Sequence, residues 1–163
     1  YPTVKAALAG RDVVHNPCNA MDSQWTAAHV DQWLASRDTF EAITWNNGLW
    51  DCASWQLTSD SDYTQALHDI AQKLKAKSSK IQFVLTTQVL PGTEYRTDAC
   101  VVGKNALAVA VMASEGIPVV DLYDVSTGLV ADHVTATDVH YNDTGYAALG
   151  GAVLTGLNTI GEN

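Results

Sequence analysis

Residues 137–146 read Thr-Asp-Val-His-Tyr-Asn-Asp-Thr-Gly-Tyr, placing Asp138 and His140 one residue apart just ahead of an apolar helical pattern. A neutral imidazole can take a proton from a hydroxyl nucleophile, and a neighbouring carboxylate fixes its tautomer and stabilises the imidazolium that forms. Two such groups on one short loop keep their mutual geometry at little entropic expense. If the one-residue spacing weakens their coupling, Asp138→Asn should matter less than His140→Ala. An ordinary helix start explains the same residues, with Asn142 or Asp143 as N-cap beside a surface histidine. A second chemical signal lies in residues 43–51, Ile-Thr-Trp-Asn-Asn-Gly-Leu-Trp-Asp. There an apolar stretch delivers Asn46, Asn47 and Gly48 into a loop. An asparagine amide is a neutral donor suited to an oxyanion, and glycine allows close backbone approach. The same three residues also suit a plain turn.

The elements around these segments alternate between strand and helix. Residues 1–9 read as a short helix closed by Gly10, and residues 12–15 as a brief strand. Ser23 is placed to cap a helix whose Ala27, Val30, Trp33 and Leu34 share a face. Residues 40–45 form the next strand, and residues 63–77 the clearest helix, with Tyr63, Ala66, Leu67, Ile70, Ala71 and Leu74 in register. A strand over 81–86, a helix over 98–114, a strand over 116–121 and a helix over 144–157 complete the pattern. Strands separated by such helices imply a parallel sheet covered on both faces. The expected fold is a single α/β domain over residues 1–163: a three-layer α/β/α sandwich with a doubly wound, flavodoxin-like sheet. Sites in such sheets lie beyond the C-terminal strand ends, which directs attention to the loops after His15, Trp45, Thr86 and Tyr123.

Composition narrows the function. The formal charge of −9 disfavours nucleic acid, which requires clustered cations. Lys73, Lys75, Lys77 and Lys80 read as the solvated end of a helix, where cations suit the macrodipole. No apolar run approaches the roughly 18–20 residues of a membrane span. Cys18, Cys52 and Cys100 match no zinc spacing, and proton transfer through an Asp–His pair requires no metal or organic cofactor. Cys18 and Cys52 both follow strands into adjacent loops and are expected close together, with Cys100 the alternative partner of either. A bridge and the sequon at Asn142 favour an exported protein, while three buried thiols favour a cytoplasmic one.

Taken in order, these segments resemble the SGNH, or GDSL-type, hydrolases, a superfamily of esterases, lipases and carbohydrate deacetylases. Residues 45–51 look like the family's third block in a Gly-Leu-aromatic-Asp variant. Residues 86–91, 105–108 and 118–123 look like the stretches that follow, and Asp138 to Tyr146 like the fifth block. The resemblance implies His140 as general base, Asp138 as its orienting acid and Asn46 as an oxyanion donor. It further implies Asn47, Gly48, Trp50 and the backbone near Met21 as substrate contacts. Three features depart from the pattern. One residue rather than two separates Asp138 from His140, with Thr137 in the usual slot. Residues 16–22 lack the glycine of the second block. The first strand, with its Gly-Asp-Ser nucleophile, is missing ahead of the first helix. Ser23 and Ser59 read as caps, Ser54 follows the third block and Ser126 lies in a turn, so none replaces the nucleophile. A preceding segment or a second chain is therefore expected to complete the sheet between residues 12–15 and 40–45. The implied activity is hydrolysis of short-chain or acetyl esters, perhaps those on carbohydrate. A non-catalytic carbohydrate- or ligand-binding protein of the same fold is the alternative. A nucleotide binder lacks a Gly-rich phosphate loop.

Overall fold

The computed structural model describes residues 2–16 and 19–162. Helix α1 (Pro2–Ala7) and α2 (Ser23–Leu34) precede strand β1 (Ile43–Trp45) and a 3-10 turn at Trp50–Cys52. Helix α3 (Asp60–Lys75), strand β2 (Ile81–Val84), helix α4 (Asp98–Glu115) and strand β3 (Val119–Val120) follow. The chain closes with α5 (Leu122–Thr127), a 3-10 turn at Val130–Asp132 and α6 (Asp143–Gly161). The strands pair in parallel in the order β1-β2-β3, with Ile43 opposite Ile81 and Phe83 opposite Val119.

The period-two geometry of β2 sorts the layers. Ile81, Phe83 and Leu85 pack with Val30, Leu34, Tyr63, Leu67, Ile70, Leu74, Val111 and Met112, the buried faces of α2, α3 and α4. Val84, on the opposite face, packs with Leu122, Tyr141 and Leu149 below α5 and α6. The sandwich is therefore three-layered, as the alternation of periods predicts. Helix α3 begins at its Ser59 cap, which accepts from the Asp62 amide, and carries Lys73 and Lys75 in its last turn. Lys73 pairs with Asp31 at 2.8 Å and Lys75 with Glu115 at 2.6 Å, so these cations belong to the fold and form no free basic patch. None of the described helices is long and apolar enough to cross a membrane.

Several expectations are corrected. Residues 12–16 form no strand; Val14 is exposed, and the segment is tied at its start by ion pairs Arg11–Glu41 and Asp12–Arg37. Two valines favour a strand only where a paired, half-buried surface receives them. Ser23 is not a cap: Asp22 caps α2 by accepting from the Trp25 amide at 2.7 Å. The stretch after β3 coils at once into α5, capped by Asp121, where sequence reading places only a loop. The disulfide joins Cys52 to Cys100, with Cα atoms 5.8 Å apart, so Cys52 is not the partner of Cys18. Cys18 itself lies outside the described residues.

Close packing of α6 on the sheet depends on Gly156. A Cβ there would lie 2.3 Å from Gln82 Oε1 and 2.5 Å from Val120 Cγ2. Gly156→Ala should therefore destabilise the protein by about 1–3 kcal/mol, the range for overpacking a filled interior. A reduced midpoint in urea denaturation checks this, and an unchanged midpoint would mean that α6 stands off the sheet.

Candidate active site

The loop leaving β1 is fixed residue by residue. Asn46 is exposed, and one N–H of its side-chain amide donates to the Val84 carbonyl at 2.6 Å. An amide nitrogen has two hydrogens, so one donor remains for a ligand. Asn47 is buried and bonded through its side-chain oxygen, its side-chain nitrogen and its carbonyl. Its Oδ1 accepts from the Trp45 indole at 2.7 Å, its Nδ2 donates to Thr26 Oγ1 at 3.0 Å, and its carbonyl accepts from the Tyr63 hydroxyl at 3.2 Å. Gly48 has φ +136°, and a Cβ there would lie 2.6 Å from Thr86 Oγ1. Only glycine combines that backbone with that approach. Asn47 and Gly48 thus shape the loop from within. Trp50 opens the 3-10 turn and is half-buried under the Arg96 guanidinium, 4.9 Å from its ring centroid.

Asp51, unremarked in the sequence beyond its place in the block, anchors this loop. Its carboxylate is fully buried and accepts from the Ser23 amide at 3.0 Å and the Ser23 hydroxyl at 2.6 Å. Ser23 thereby links the start of α2 to the loop after β1. Met21, two residues earlier, takes a left-handed backbone (φ 55°), the conformation a glycine would favour, and its amide donates to Asn19 Oδ1 at 2.9 Å.

His140 sits on a closed loop between the last 3-10 turn and α6. The Asn142 amide donates to the Asp132 carbonyl at 2.7 Å, and the Val134 amide to the His140 carbonyl at 2.9 Å. Buried His133 donates from Nδ1 to the Asp138 carbonyl at 2.8 Å and lies against Tyr141. Asn142 caps α6 by accepting from the Gly145 amide at 3.0 Å. The helix-start reading of this segment is met by Asn142, and His140 lies ahead of the helix on the exposed part of the loop.

Within this frame Asp138 Oδ1 meets His140 Nδ1 at 2.6 Å and also accepts the His140 amide at 3.0 Å. One intervening residue is enough for direct contact, because the loop turns back on itself between them. The His140 contact holds the Asp138 carboxyl below its usual range. A carboxylate accepts, so Nδ1 carries the hydrogen and Nε2 is left as the base. The His140 side chain is 67% exposed, and among the described residues no serine hydroxyl is bonded to it.

Two packing links bring the loops to one end of the sheet. Val139 packs with Leu49, Cys52, Cys100 and Tyr123, tying the His140 loop to the turn after β1. Tyr141 packs on Val84, whose carbonyl receives Asn46. Asn46 thus lies at the C-terminal ends of β1 and β2, and the loop that carries Asp138 and His140 packs beside the turn that follows β1. Among the described residues no group of His, Cys, Asp or Glu is arranged to hold a metal ion.

Residues that sequence reading missed support this end. Asn105 clamps the backbone of Thr86, accepting from its amide at 3.0 Å and donating to its carbonyl at 2.8 Å. Asp98 accepts from the Val89 amide at 2.9 Å and from the Tyr123 hydroxyl at 2.7 Å, which pushes the Tyr123 phenol up to about 12. A polar residue on the apolar face of α4 is the available signal for Asn105. Nothing local marks Asp98 beyond its place in the first turn.

Burial lifts the Asp51 carboxyl above its ordinary range, although the Ser23 hydrogen bonds favour the ionised form. An acid with a raised folded pKa keeps its proton longer in the folded state. Its contribution to stability therefore falls as pH rises from the unfolded value near ~4 through the folded one. Asp51→Asn removes that step. The wild type should lose stability relative to Asp51→Asn across this window in urea unfolding; a pH-independent difference would contradict the assignment.

No family model matches the sequence, and no curated protein sequence is significantly similar to it. Solved structures are similar. A lipolytic protein of the G-D-S-L family from Veillonella parvula superposes with a TM-score of 0.74 at 19% identity, covering 93% of this chain and 83% of that one. The native aryl esterase of M. smegmatis gives 0.75 at 11% identity, over 98% and 82% of the two chains. An acetylxylan esterase from Geobacillus stearothermophilus gives 0.70 at 11% identity, over 85% and 68%. What is shared at these identities is the architecture: the chain has the three-layer α/β/α fold of the GDSL-type lipolytic proteins.

Proposed function

We infer that the protein is a serine ester hydrolase acting by acyl transfer to water. The observation that carries this is the Asp138–His140 pair, in contact at 2.6 Å on an exposed loop that packs against the turn after β1. A serine hydroxyl attacks the ester carbonyl and passes its proton to His140 Nε2. The free N–H of Asn46, with backbone amides, receives the developing oxyanion. His140 then returns the proton to the leaving alcohol, and water repeats the cycle on the acyl-enzyme. No metal or organic cofactor enters this scheme.

The serine belongs to a segment outside residues 1–163, which adds a strand to β1. Support comes from β1 itself, paired with β2 on one side and carrying exposed Thr44. An edge of that kind accepts a further strand. Short acyl groups, acetyl among them and borne on carbohydrate, are the proposed substrates; an acetylxylan esterase among the structures of like fold supports this choice. The Cys52–Cys100 bridge supports an exported protein, since such bonds persist in oxidising surroundings. A binding protein of the same fold is the second reading, favoured by the exposed aromatic side chains near the site.

In the intact protein, His140→Ala should lower turnover of 4-nitrophenyl acetate by about 10²–10⁴-fold, with the fold preserved by circular dichroism. Asn46→Ala should raise the barrier by roughly 2.7–4 kcal/mol. Asp138→Asn should fall between wild type and His140→Ala, because the exposed imidazole keeps its base nitrogen while losing its orienting partner. Undiminished turnover in His140→Ala would eliminate the mechanism.

A further inference from the structure

Beside the site lies a cluster that the hydrolytic chemistry does not use. Trp55 is 54% exposed and Tyr95 57% exposed, their rings 4.8 Å apart and nearly perpendicular at 73°. Trp50 continues the cluster, 6.2 Å from Trp55. Arg96 lies over both indoles, 4.9 Å and 5.4 Å from their centroids, and its Nε donates to the Leu49 carbonyl at 3.1 Å. Apolar rings left in water in this way call for a ligand.

The cluster is also built. Tyr95 holds a left-handed backbone, φ 64°, which a residue with a bulky side chain rarely takes. Its carbonyl accepts from the Ser54 amide at 2.8 Å, which fixes the ring in place beside Trp55. Backbone strain retained to present an exposed ring is a mark of function rather than of packing. The Cys52–Cys100 bridge underlies the cluster, and Cys52 packs with Val139, the residue before His140. The turn that carries Trp50 is thereby tied to the loop of the proposed base.

Next to these rings is an open cavity of about 820 Å³ that shares Tyr95 and Arg96 and is lined by Ser54, Ser59, Thr93 and Thr97. Leu57 is its one large aliphatic side chain. An acyl chain would call for an aliphatic wall. Hydroxyl groups beside the Tyr95 ring, with Trp55 next to it, instead match a sugar, whose C–H face stacks on a ring while its hydroxyls exchange hydrogen bonds at the rim. The net charge of −9 repels a polyanionic glycan; of the cations lining the cavity, Arg96 is covered by indole and Lys104 is paired with Asp60 at 2.8 Å. Two exposed rings set at a right angle suit consecutive sugar rings that are rotated relative to one another.

We propose that Trp55 and Tyr95, with Trp50, Arg96 and the adjoining cavity, form a binding site for a neutral pyranose polysaccharide, which holds the chain while an ester on it is hydrolysed. This rests on the hydrolase reading for its purpose but not for its test, because binding is measured without turnover. Titration of the intact protein with cellohexaose and xylohexaose, followed by tryptophan fluorescence, should give saturable binding to at least one. Trp55→Ala should weaken it about tenfold or more, the scale of one lost aromatic stacking contact. Tyr95→Gly should also weaken binding while raising the thermal midpoint, since glycine accepts the left-handed backbone without strain. No binding of either hexasaccharide would overturn the proposal. So would equal affinity in Trp55→Ala, or preference for hexagalacturonate or octanoate over both neutral sugars. Trp55-dependent sugar binding without ester turnover would sink the hydrolase reading alone; ester turnover without sugar binding would sink this proposal alone.

Discussion

The arrangement at the top of the sheet depends on one buried carboxylate. Asp51 has no exposed surface and takes two hydrogen bonds from Ser23, an amide and a hydroxyl. Burying an unpaired carboxylate would be prohibitive, so those donors have to be present whenever the fold is. The requirement joins the start of α2 to the loop after β1. Between Asn46 and Cys52 that loop has no freedom left. Asn47 is bonded on every side, Gly48 is pressed on Thr86, Asp51 is clamped and Cys52 is bridged to α4. A rigid support of this kind lets a single exposed amide, that of Asn46, hold a fixed direction.

The His140 loop reaches the same outcome by other means. Its neighbours Val139 and Tyr141 face inward into two different apolar clusters, and backbone bonds at Val134 and Asn142 close the loop behind them. Between Val139 and Tyr141, His140 faces out. An imidazole carried on a loop pinned at both flanks gains its carboxylate contact at 2.6 Å without burial. The pair remains in water, where Coulombic coupling is modest, so the contact chiefly selects the tautomer with its hydrogen on Nδ1.

Much of this was legible in the sequence, and the failures share a cause. The face of α3 follows directly from its helical period, and the layer architecture follows from alternating helix and strand signals. Asp138, His140 and Asn46 stand out because their residue types and loop positions are unusual for packing. What could not be read depends on partners distant in the chain. Ser23 looks like a helix cap until Asp51, 28 residues on, claims its hydroxyl. Val13 and Val14 look like a strand, but strand propensity has meaning only on a paired surface, and the described sheet gives them no place. Cys52 had two candidate partners, and spacing cannot choose between them. His133 and Asn105 serve the backbone of other segments, which no local pattern records.

Burial is not shared equally between the two faces of the sheet. On the α2–α4 side, Phe83, Leu67, Ile70 and Met112 have no exposed surface. On the α6 side, Val153, Leu154 and Leu157 are only half-buried, although they form the apolar face of a nineteen-residue helix. Gln82 points into this side, donating from Nε2 to Thr44 Oγ1 at 3.1 Å and to the Val153 carbonyl at 3.0 Å, while its Oε1 has no partner. A parallel sheet ordinarily carries continuous apolar cover on both faces. The half-buried stretch of α6 and the edge strand β1 are each short of cover, and a single strand laid against β1 would supply pairing for one and apolar contact for the other. The same strand would end near Asn46 and His140, because parallel strands share their C-terminal end. The packing asymmetry and the chemistry therefore ask for one segment in one place, which is the physical reason for seeking the nucleophile there rather than among Ser54, Ser59 or Ser126.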